Sequence, residues 1–330
     1  MKTRVAINGF GRIGRVFFRS VYNHPTIEVV AINDLADVTT MAHLLKYDSV
    51  HRQFDAHVYT DEVNLIVDKK AITYCSIADP TQLSWKELEI DVVIESTGLF
   101  RTVDSVQGHL IAGAKKVIIS APSLDDSIPT VVMGINENIL KGDEQIISNA
   151  SCTTNCSAPL VQLIDEYYGI ESAYITTVHS YTNDQQLHDS PHKDLRRARA
   201  GASSIVPTTT GAAKAITKIF PHLKGKIGGC GIRVPVPDGS LTDITCIVKQ
   251  ETSIEDVNKL FKQAAVGPMK HILSYIEDPI VSVDVIGNTY SCVFDSKLTS
   301  VLGKMVKVVG WYDNEVGYSN RLIDLIEKVS

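Results

Sequence analysis

Near the N-terminus the run Val5-Ala6-Ile7-Asn8 leads straight into Gly9-Phe10-Gly11-Arg12-Ile13-Gly14, after which apolar side chains recur at Ile13, Val16, Phe17 and Val21. A β-branched run, glycines at that spacing and a helical apolar period predict a strand, a tight turn and a helix in succession. No other stretch restricts the fold as much. Similar short runs follow in IEVVAIND, DVVIEST, KKVIISAP, TVVMGIN and QIISN, alternating with helical periodicity. Such alternation gives a mainly parallel α/β sheet.

Beyond residue 152 the texture changes to longer extended stretches, SAYITTVHSY, CGIRVPV, LTDITCIVKQ and KMVKVVGWY, broken by helical segments such as SIEDVNKLFKQAA, whose Ser253 and Asp256 form a capping start. That pattern is α+β. A chain of 330 residues also exceeds the size at which one hydrophobic core usually stops growing, so two domains are expected. The last segment, EVGYSNRLIDLIEKVS, sets Leu322, Leu325, Ile326 and Val329 on one helical face. Such a face must cover something apolar, and the expectation is that it returns to the first domain. The expected boundaries are 1–151, completed by the closing helix 316–330, and 152–315.

Charge narrows the partners. Lys and Arg number 32 against 38 Asp and Glu, a formal −6, with both signs dispersed, so nucleic acid is not an expected principal partner. The N-terminus lacks a signal-peptide core and the apolar runs are too short to cross a bilayer, which predicts a cytoplasmic protein with no membrane association. Cysteines 75, 152, 156, 230, 246 and 292 are too scattered for a disulfide framework, and no C-x-x-C pair points to a metal site.

The glycine loop carries the first chemical reading. Glycines there permit close approach of a pyrophosphate, whose charge the unpaired N–H groups of the helix start stabilise. Asp34 ends the second run, 20 residues beyond Gly14, where its carboxylate suits ribose hydroxyls and repels a 2′-phosphate. The cofactor expected is NAD rather than NADP.

The second reading starts from SNASCTTNC, residues 148–156, followed by an apolar stripe of Leu160, Val161, Leu163, Ile164, Tyr167 and Tyr168 ending near Gly169. Cys152 therefore stands at a helix start. The dipole and local N–H donors are expected to bring its thiol below the free value of about 8.5. Pro159 inside the helix predicts a bend or a late start. Cys156, one turn on, shares the face of Cys152 and reads as a buried supporting residue. His179 ends the extended run AYITTVH, a place from which it can face the cysteine, though a sequence carries no such distance.

Taken together, INGFGRIGR, SNASCTTNC, TTVHSYTNDQ, PTTTGAAKA, RVPVP and WYDNEVGYSNR resemble the phosphorylating glyceraldehyde-3-phosphate dehydrogenase family over nearly the whole chain and in the family's order. The resemblance implies an α/β Rossmann dinucleotide-binding domain plus an α+β catalytic domain with a mainly antiparallel sheet, assembled as a homotetramer. It implies oxidation of glyceraldehyde 3-phosphate, with inorganic phosphate and NAD, to an acyl phosphate. Cys152 then matches the nucleophile and His179 its base. Thr182, Asp184 and Arg233 match the group that holds the substrate phosphate, and Ser151, Thr153, Thr210 and Gly211 the group for the attacking phosphate. Asn8, Phe10, Gly11, Arg12, Ile13, Asp34, Ser96, Thr97 and Ser120 match positions that line the dinucleotide, and Asn314 matches the residue that holds the nicotinamide carboxamide. The resemblance also implies that the basic stretch HKDLRRARA, 192–200, sits in the loop that packs between subunits, whereas its residues alone read as a solvated charged face.

Three places depart from the pattern: Ala78 where many relatives have Arg, Ser190 before Pro191 where leucine is common in NAD-selective forms, and Asp238-Gly239 where many have Asn-Val. The nearest rival activity is erythrose-4-phosphate dehydrogenase. That branch typically lacks the threonine matching Thr182 and replaces the TTTGAAK segment, and both stand here. A cysteine hydrolase also uses Cys with His, but has no use for the dinucleotide loop.

Overall fold

A computed structural model describes residues 2–61 and 63–330. Contacts divide the chain into two compact units: one holds the chain up to Val131 with Glu137–Ala150 and Ser319–Ser330, the other Val132–Asn136 with Ser151–Tyr318. Among the described residues, no helix is long and apolar enough to cross a membrane.

The first unit opens with the strand-turn-helix that its sequence dictates: Thr3–Asn8 (β1), Arg12–Val21 (α1) and Ile27–Asn33 (β2). Val38–Lys46 (α2), capped by Asp37, leads to a ribbon of Tyr47–Asp48 (β3) and Arg52–Gln53 (β4). Val58–Thr60 (β5), Asn64–Val67 (β6) and Lys70–Cys75 (β7) form an antiparallel meander. Val92–Glu95 (β8), Val103–Ile111 (α3), Lys116–Ile119 (β9) and Ile146–Ser148 (β10) complete the unit.

The sheet order is β10-β9-β8-β1-β2-β7-β6-β5, parallel from β10 to β7. The order reverses at β1, between β2 and β8, and the crevice beyond the strand ends at such a reversal is where open α/β sheets take their ligands. β1 and β8 are buried on both faces, as parallel strands covered by helices must be. TVVMGIN, read as one of the alternating extended runs, supplies only an isolated bridge from Thr130 to Ser148.

The second unit begins with Cys152–Tyr168 (α4) and Ile170–Ser180 (β11), then Val206–Thr208 (β12), Ala212–Ile219 (α5), Ile227–Val234 (β13), Ser240–Val248 (β14) and Ile254–Val266 (α6). Leu273–Ile276 (β15), Cys292–Asp295 (β16), Ser300–Leu302 (β17) and Met305–Tyr312 (β18) follow; Val316–Val329 (α7), which from Ser319 on belongs to the first unit, closes the chain. The order is β12-β13-β11-β14-β18-β16-β15, with β17 on β18, and only the β11–β13 and β15–β16 pairs are parallel. The mainly parallel sheet of the first unit and the mainly antiparallel sheet of the second agree with the expected fold class.

Alternation explains which face of the second sheet is covered. Along β11 the odd residues Ile175, Thr177 and His179 are buried, whereas Tyr174, Thr176 and Val178 are not. α4 covers that inner face with Cys156, Leu160, Val161, Leu163 and Ile164, all buried. Tyr167 departs from the expected stripe and is exposed. Pro159 produces no late start: the helix is continuous from Cys152. In α7, Leu322, Leu325 and Ile326 are wholly buried, while Val329, its last residue, is only half-buried.

Candidate active site

α4 begins at Cys152 because Ser151 caps it, its hydroxyl accepting from Thr154 N at 3.1 Å, an interaction typically worth about 1 kcal/mol. Ala150 immediately before takes a left-handed φ of 56°, a strained conformation for a side chain with a Cβ. Strain of that kind persists where a residue's aim matters.

Cys152 Sγ lies 3.5 Å from His179 Nε2. The sheet supplies that meeting: β11 runs parallel to β13 in a register that sets His179 beside Arg233. Arg233 Nη1 is 2.6 Å from His179 Nδ1 and donates to the Ser180 carbonyl at 2.9 Å. Tyr312 ends β18 edge-on to the imidazole, ring centroids 5.9 Å apart, and its hydroxyl meets that of Thr153 at 3.0 Å.

Donor accounting assigns the imidazole proton. A guanidinium only donates. Its Nη1 has two hydrogens, one for the Ser180 carbonyl and one for Nδ1, so Nδ1 accepts and the ring proton sits on Nε2, aimed at the sulfur. The alternative tautomer, with Nδ1 donating to Ser180 O at 2.8 Å, leaves Nε2 as a base but requires Arg233 to turn away.

The thiol corrects an expectation. Burial pushes Cys152 up, to about 11, against the opposing pull of Arg233 and the Thr153 N–H, so the helix start does not bring it below the free value. Burial and then Arg233 hold His179 down, at about 3. Both shifts favour a thiol beside an imidazole over an ion pair. Cys152 stands in a densely packed surround that desolvates its thiol, yet part of the residue's surface stays exposed, so a substrate can reach it. Cys156 is wholly buried; its thiol faces the Gly310 carbonyl at 3.6 Å and is hydrogen-bonded with the Cys292 thiol. That is a packing role.

The loop after β11 brings further charge. Arg197 donates from Nη1 to Asp184 Oδ2 at 2.5 Å, from Nε to the Thr208 hydroxyl at 2.9 Å and from Nη2 to the Thr209 carbonyl at 3.2 Å. Asp184 also meets His192 at 3.2 Å. Arg233 is lowered by burial and then by the repulsion of Arg197, with Asp184 acting the other way. Two guanidinium groups that repel each other, with the carboxylates of Asp184 and, at 3.8 Å, Asp194 both paired to Arg197, leave Arg233 with no carboxylate of its own among the described residues, an arrangement suited to an anion. Arg197 was missed because RRARA reads as a solvated run, and nothing local says which of its arginines turns inward.

The remaining candidates are placed unevenly. Thr182 is half-buried in the turn after β11, and the Thr210 hydroxyl accepts from Ala212 N at the start of α5, whose N-cap Gly211 offers no capping side chain. Ser151 and Thr153 carry hydroxyls already engaged with Thr154 and Tyr312. Asn314 Oδ1 accepts from the hydroxyls of Ser180 and Ser240, both at 2.8 Å, which fixes its amide orientation.

In the first unit the glycine loop has the shape its sequence predicts. Gly9 has φ 93°, and a Cβ there would lie 2.7 Å from Thr97 N; one on Gly14 would lie 2.3 Å from the Gly9 carbonyl. Beside Gly11 the space is open, and no side chain caps the first turn of α1. A cradle closed underneath, open above and edged by helix N–H groups fits a pyrophosphate. Asp34, at the end of β2, accepts from Phe10 N at 2.7 Å and from Ala36 N at 3.0 Å, so its carboxylate is fixed in direction. The Phe10 ring is wholly buried, edge-on to Phe18, and only its backbone borders the loop. Arg12 pairs with Asp48 at 2.5 Å. Ser96 clamps the loop from beneath, its hydroxyl 2.7 Å from the Gly9 carbonyl, and the Ser120 N–H donates to the Glu95 carbonyl. Ile13 at the helix start is half-buried.

One departure now has a physical account. Gly239 has φ 82°, and a Cβ would lie 2.1 Å from the Ser282 carbonyl, so this backbone cannot carry a valine. Beside it, burial and then the charges of Asp313 and Glu315 push Asp238 up, to about 9. Nothing in the structure explains Ala78 or Ser190.

Residues 3–103 match the NAD binding domain of glyceraldehyde 3-phosphate dehydrogenase, and residues 151–314 match its C-terminal domain. The chain is 57% identical over 327 residues to glyceraldehyde-3-phosphate dehydrogenase of Thermotoga maritima, covering 98% of each chain. It is 54% identical over 329 residues to that of Geobacillus stearothermophilus, covering 98% of this chain and 97% of the relative. With both domain matches in order along the chain and identity of this extent over nearly all of it, the chain belongs to the glyceraldehyde-3-phosphate dehydrogenase family.

Proposed function

We propose that the protein oxidises glyceraldehyde 3-phosphate to 1,3-bisphosphoglycerate, with NAD and inorganic phosphate, through a thioester on Cys152. The observation that carries this reading is the 3.5 Å approach of the Cys152 sulfur to His179 Nε2, with Arg233 against the other ring nitrogen. The relatives' names support the substrate.

The site's tautomers suggest how binding and chemistry join. A substrate phosphate drawn to Arg233, Thr182 and Arg197, the last held in place by Asp184, takes over the guanidinium donor, and His179 Nδ1 then donates to the Ser180 carbonyl. Nε2 becomes a base, takes the thiol proton, and the sulfur adds to the aldehyde carbon. The proton passes to the carbonyl oxygen, giving a hemithioacetal whose hydroxyl His179 deprotonates in turn. NAD, when bound, supplies the two-electron acceptor that converts this adduct to the thioester. Phosphate held by Ser151, Thr153, Thr210 and Gly211 attacks the thioester carbon and releases the thiolate and the acyl phosphate. The Cys152 N–H at the helix start is a donor for the oxyanion formed.

Asn8, Gly11, Arg12, Ile13, Ser96, Thr97 and Ser120 hold the dinucleotide in this reading, with the backbone of Phe10 and the carboxylate of Asp34, while Asn314 orients the carboxamide. Residues 1–151 with 316–330 serve binding, and 152–315 serve catalysis. A homotetramer is supported by the exposed apolar side chains Leu195, within the basic stretch 192–200, and Leu187 and Ile205, on either side of it. The free state of Cys75, Cys152, Cys156, Cys230, Cys246 and Cys292 suits a reducing cytoplasm.

Steady-state NADH formation with glyceraldehyde 3-phosphate and erythrose 4-phosphate, each with and without phosphate, tests the reading. Phosphate-dependent turnover with a clearly higher kcat/KM on glyceraldehyde 3-phosphate is expected. Higher efficiency on the tetrose, or turnover indifferent to phosphate, refutes it.

A further inference from the structure

Beneath the glycine loop, entirely inside the first unit, lies a chain of polar side chains that the reaction scheme leaves unused. Trp85 and His109 are 0% exposed and Glu95 1%. Trp85 Nε1 meets His109 Nδ1 at 3.0 Å, and His109 Nε2 meets Glu95 Oε2 at 3.2 Å. An indole N–H only donates. Nδ1 therefore accepts, the ring proton lies on Nε2, and His109 donates to Glu95.

Both carboxylate oxygens are then fully engaged. Oε2 also accepts from Asn8 Nδ2 at 2.6 Å. Oε1 accepts the Thr97 N–H at 2.8 Å and the Thr97 hydroxyl. Asn8 Oδ1 in turn accepts from Asn33 Nδ2 at 2.7 Å, and Asn33 Oδ1 from Ile77 N at 2.9 Å. The Ser96 hydroxyl reaches the carbonyls of Asn8 and Gly9. The chain thus begins at a tryptophan in the apolar core and ends on two residues that border the loop.

Such a network is an inefficient way to hold a core together. Buried polar groups cost stability unless every donor and acceptor is paired, and well-packed apolar residues often do as well or better. What this one provides is direction: Glu95 can hold Thr97 and Asn8 in a single orientation only while His109 is locked in one tautomer, and Trp85 supplies that lock.

We propose that Trp85, His109 and Glu95 form a positioning relay for NAD, fixing Asn8 and Thr97 against the glycine loop so that the cradle is preformed. The proposal rests on the reading of Asn8 and Thr97 as cofactor-lining residues. None of the three needs to touch the cofactor.

The test compares NAD affinity, by calorimetry on the full-length protein, with KM for NAD, kcat at saturating NAD and melting temperature. Trp85→Phe keeps most of the ring volume and deletes the N–H; His109→Leu deletes both ring nitrogens. Each is expected to raise the Kd for NAD about tenfold, the scale of one lost buried hydrogen bond, with KM for NAD rising in step and kcat little changed. His109→Gln, whose amide accepts at one atom and donates at another, is expected to restore affinity to within about threefold of the parent. Val106→Ala, in the same apolar cluster but outside the relay, controls for destabilisation and is expected to lower the melting temperature without changing Kd. Kd values for Trp85→Phe and His109→Leu equal to that of Val106→Ala, or no rescue by glutamine, overturn the relay. Failure of the parent protein to bind NAD overturns the cofactor reading as well, so the two failures are distinguishable.

Discussion

The cradle of the first unit and the sulfur site of the second solve different problems with different parts of the polymer. The cradle is made from one short stretch, β1, its turn and the start of α1, and its working groups are backbone N–H donors aimed by the turn. The sulfur site joins the start of α4 to the ends of β11, β13 and β18: His179 and Arg233 are 54 residues apart, and Thr153 and Tyr312 are 159 apart. Anion binding by backbone needs only local conformation, which a few glycines enforce. Nucleophilic chemistry needs particular side chains at particular distances, which only a sheet register delivers.

That contrast can be broken by substitutions confined to one side. The largest effect is expected from Cys152→Ser: a loss on the order of 10⁴-fold or more in phosphorylating turnover, with NAD affinity within error of the parent. Turnover near normal excludes the sulfur as nucleophile, and lost NAD affinity shows that the two regions are not separable. Next comes His179→Asn, for which kcat is expected to fall roughly 10²–10⁴-fold, again without loss of NAD binding. A rate unchanged near neutral pH contradicts the base assignment.

On the other side, Gly9→Ala forces a Cβ to 2.7 Å from Thr97 N at a φ of 93°. NAD affinity should fall about tenfold or more while alkylation of Cys152 by iodoacetamide keeps the parent's rate. The alkylation profile sharpens the comparison further. Because burial holds the thiol near 11, the rate in the ligand-free protein should climb through pH 8 to 10 rather than level off near neutrality.

The smallest effect on activity is expected from Asp238→Asn, which reads out in stability. The folded state keeps the Asp238 proton up to about pH 9, whereas an unfolded chain releases it near its ordinary value of 3.8. Between those limits the folded state binds more protons, so this group's contribution to stability falls as pH rises. The Asn variant should lose that slope and exceed the parent by on the order of 1–3 kcal/mol at pH 8 in urea unfolding. Parallel stability curves from pH 6 to 9 count against a protonated Asp238.

What could be read in advance follows the same division. Gly9, Gly11, Gly14 and Asp34 stand in one strand-turn-helix-strand unit, where periodicity and glycine spacing report conformation directly. Cys152 was legible as a helix start because Ser151 and the apolar stripe frame it. Arg197 was not, because its value depends on Asp184, Thr208 and Thr209 folding around it. The thiol was misjudged for a related reason: a helix start lowers its pKa, but here desolvation outweighs that pull, and burial is a property of packing. Tyr167 failed likewise, since the stripe it shares does not say where the covered surface ends.

By itself the sequence determined the alternating α/β first half, the glycine cradle with its acidic residue, the extended second half and the cysteine that opens α4, since all are written in contiguous residues whose conformational preferences act locally. Only the tertiary structure decided which histidine and arginines meet that sulfur, which tautomer the imidazole holds and whether the thiol is ionised. Those depend on strand register and on the removal of water, and neither exists until distant segments pack together.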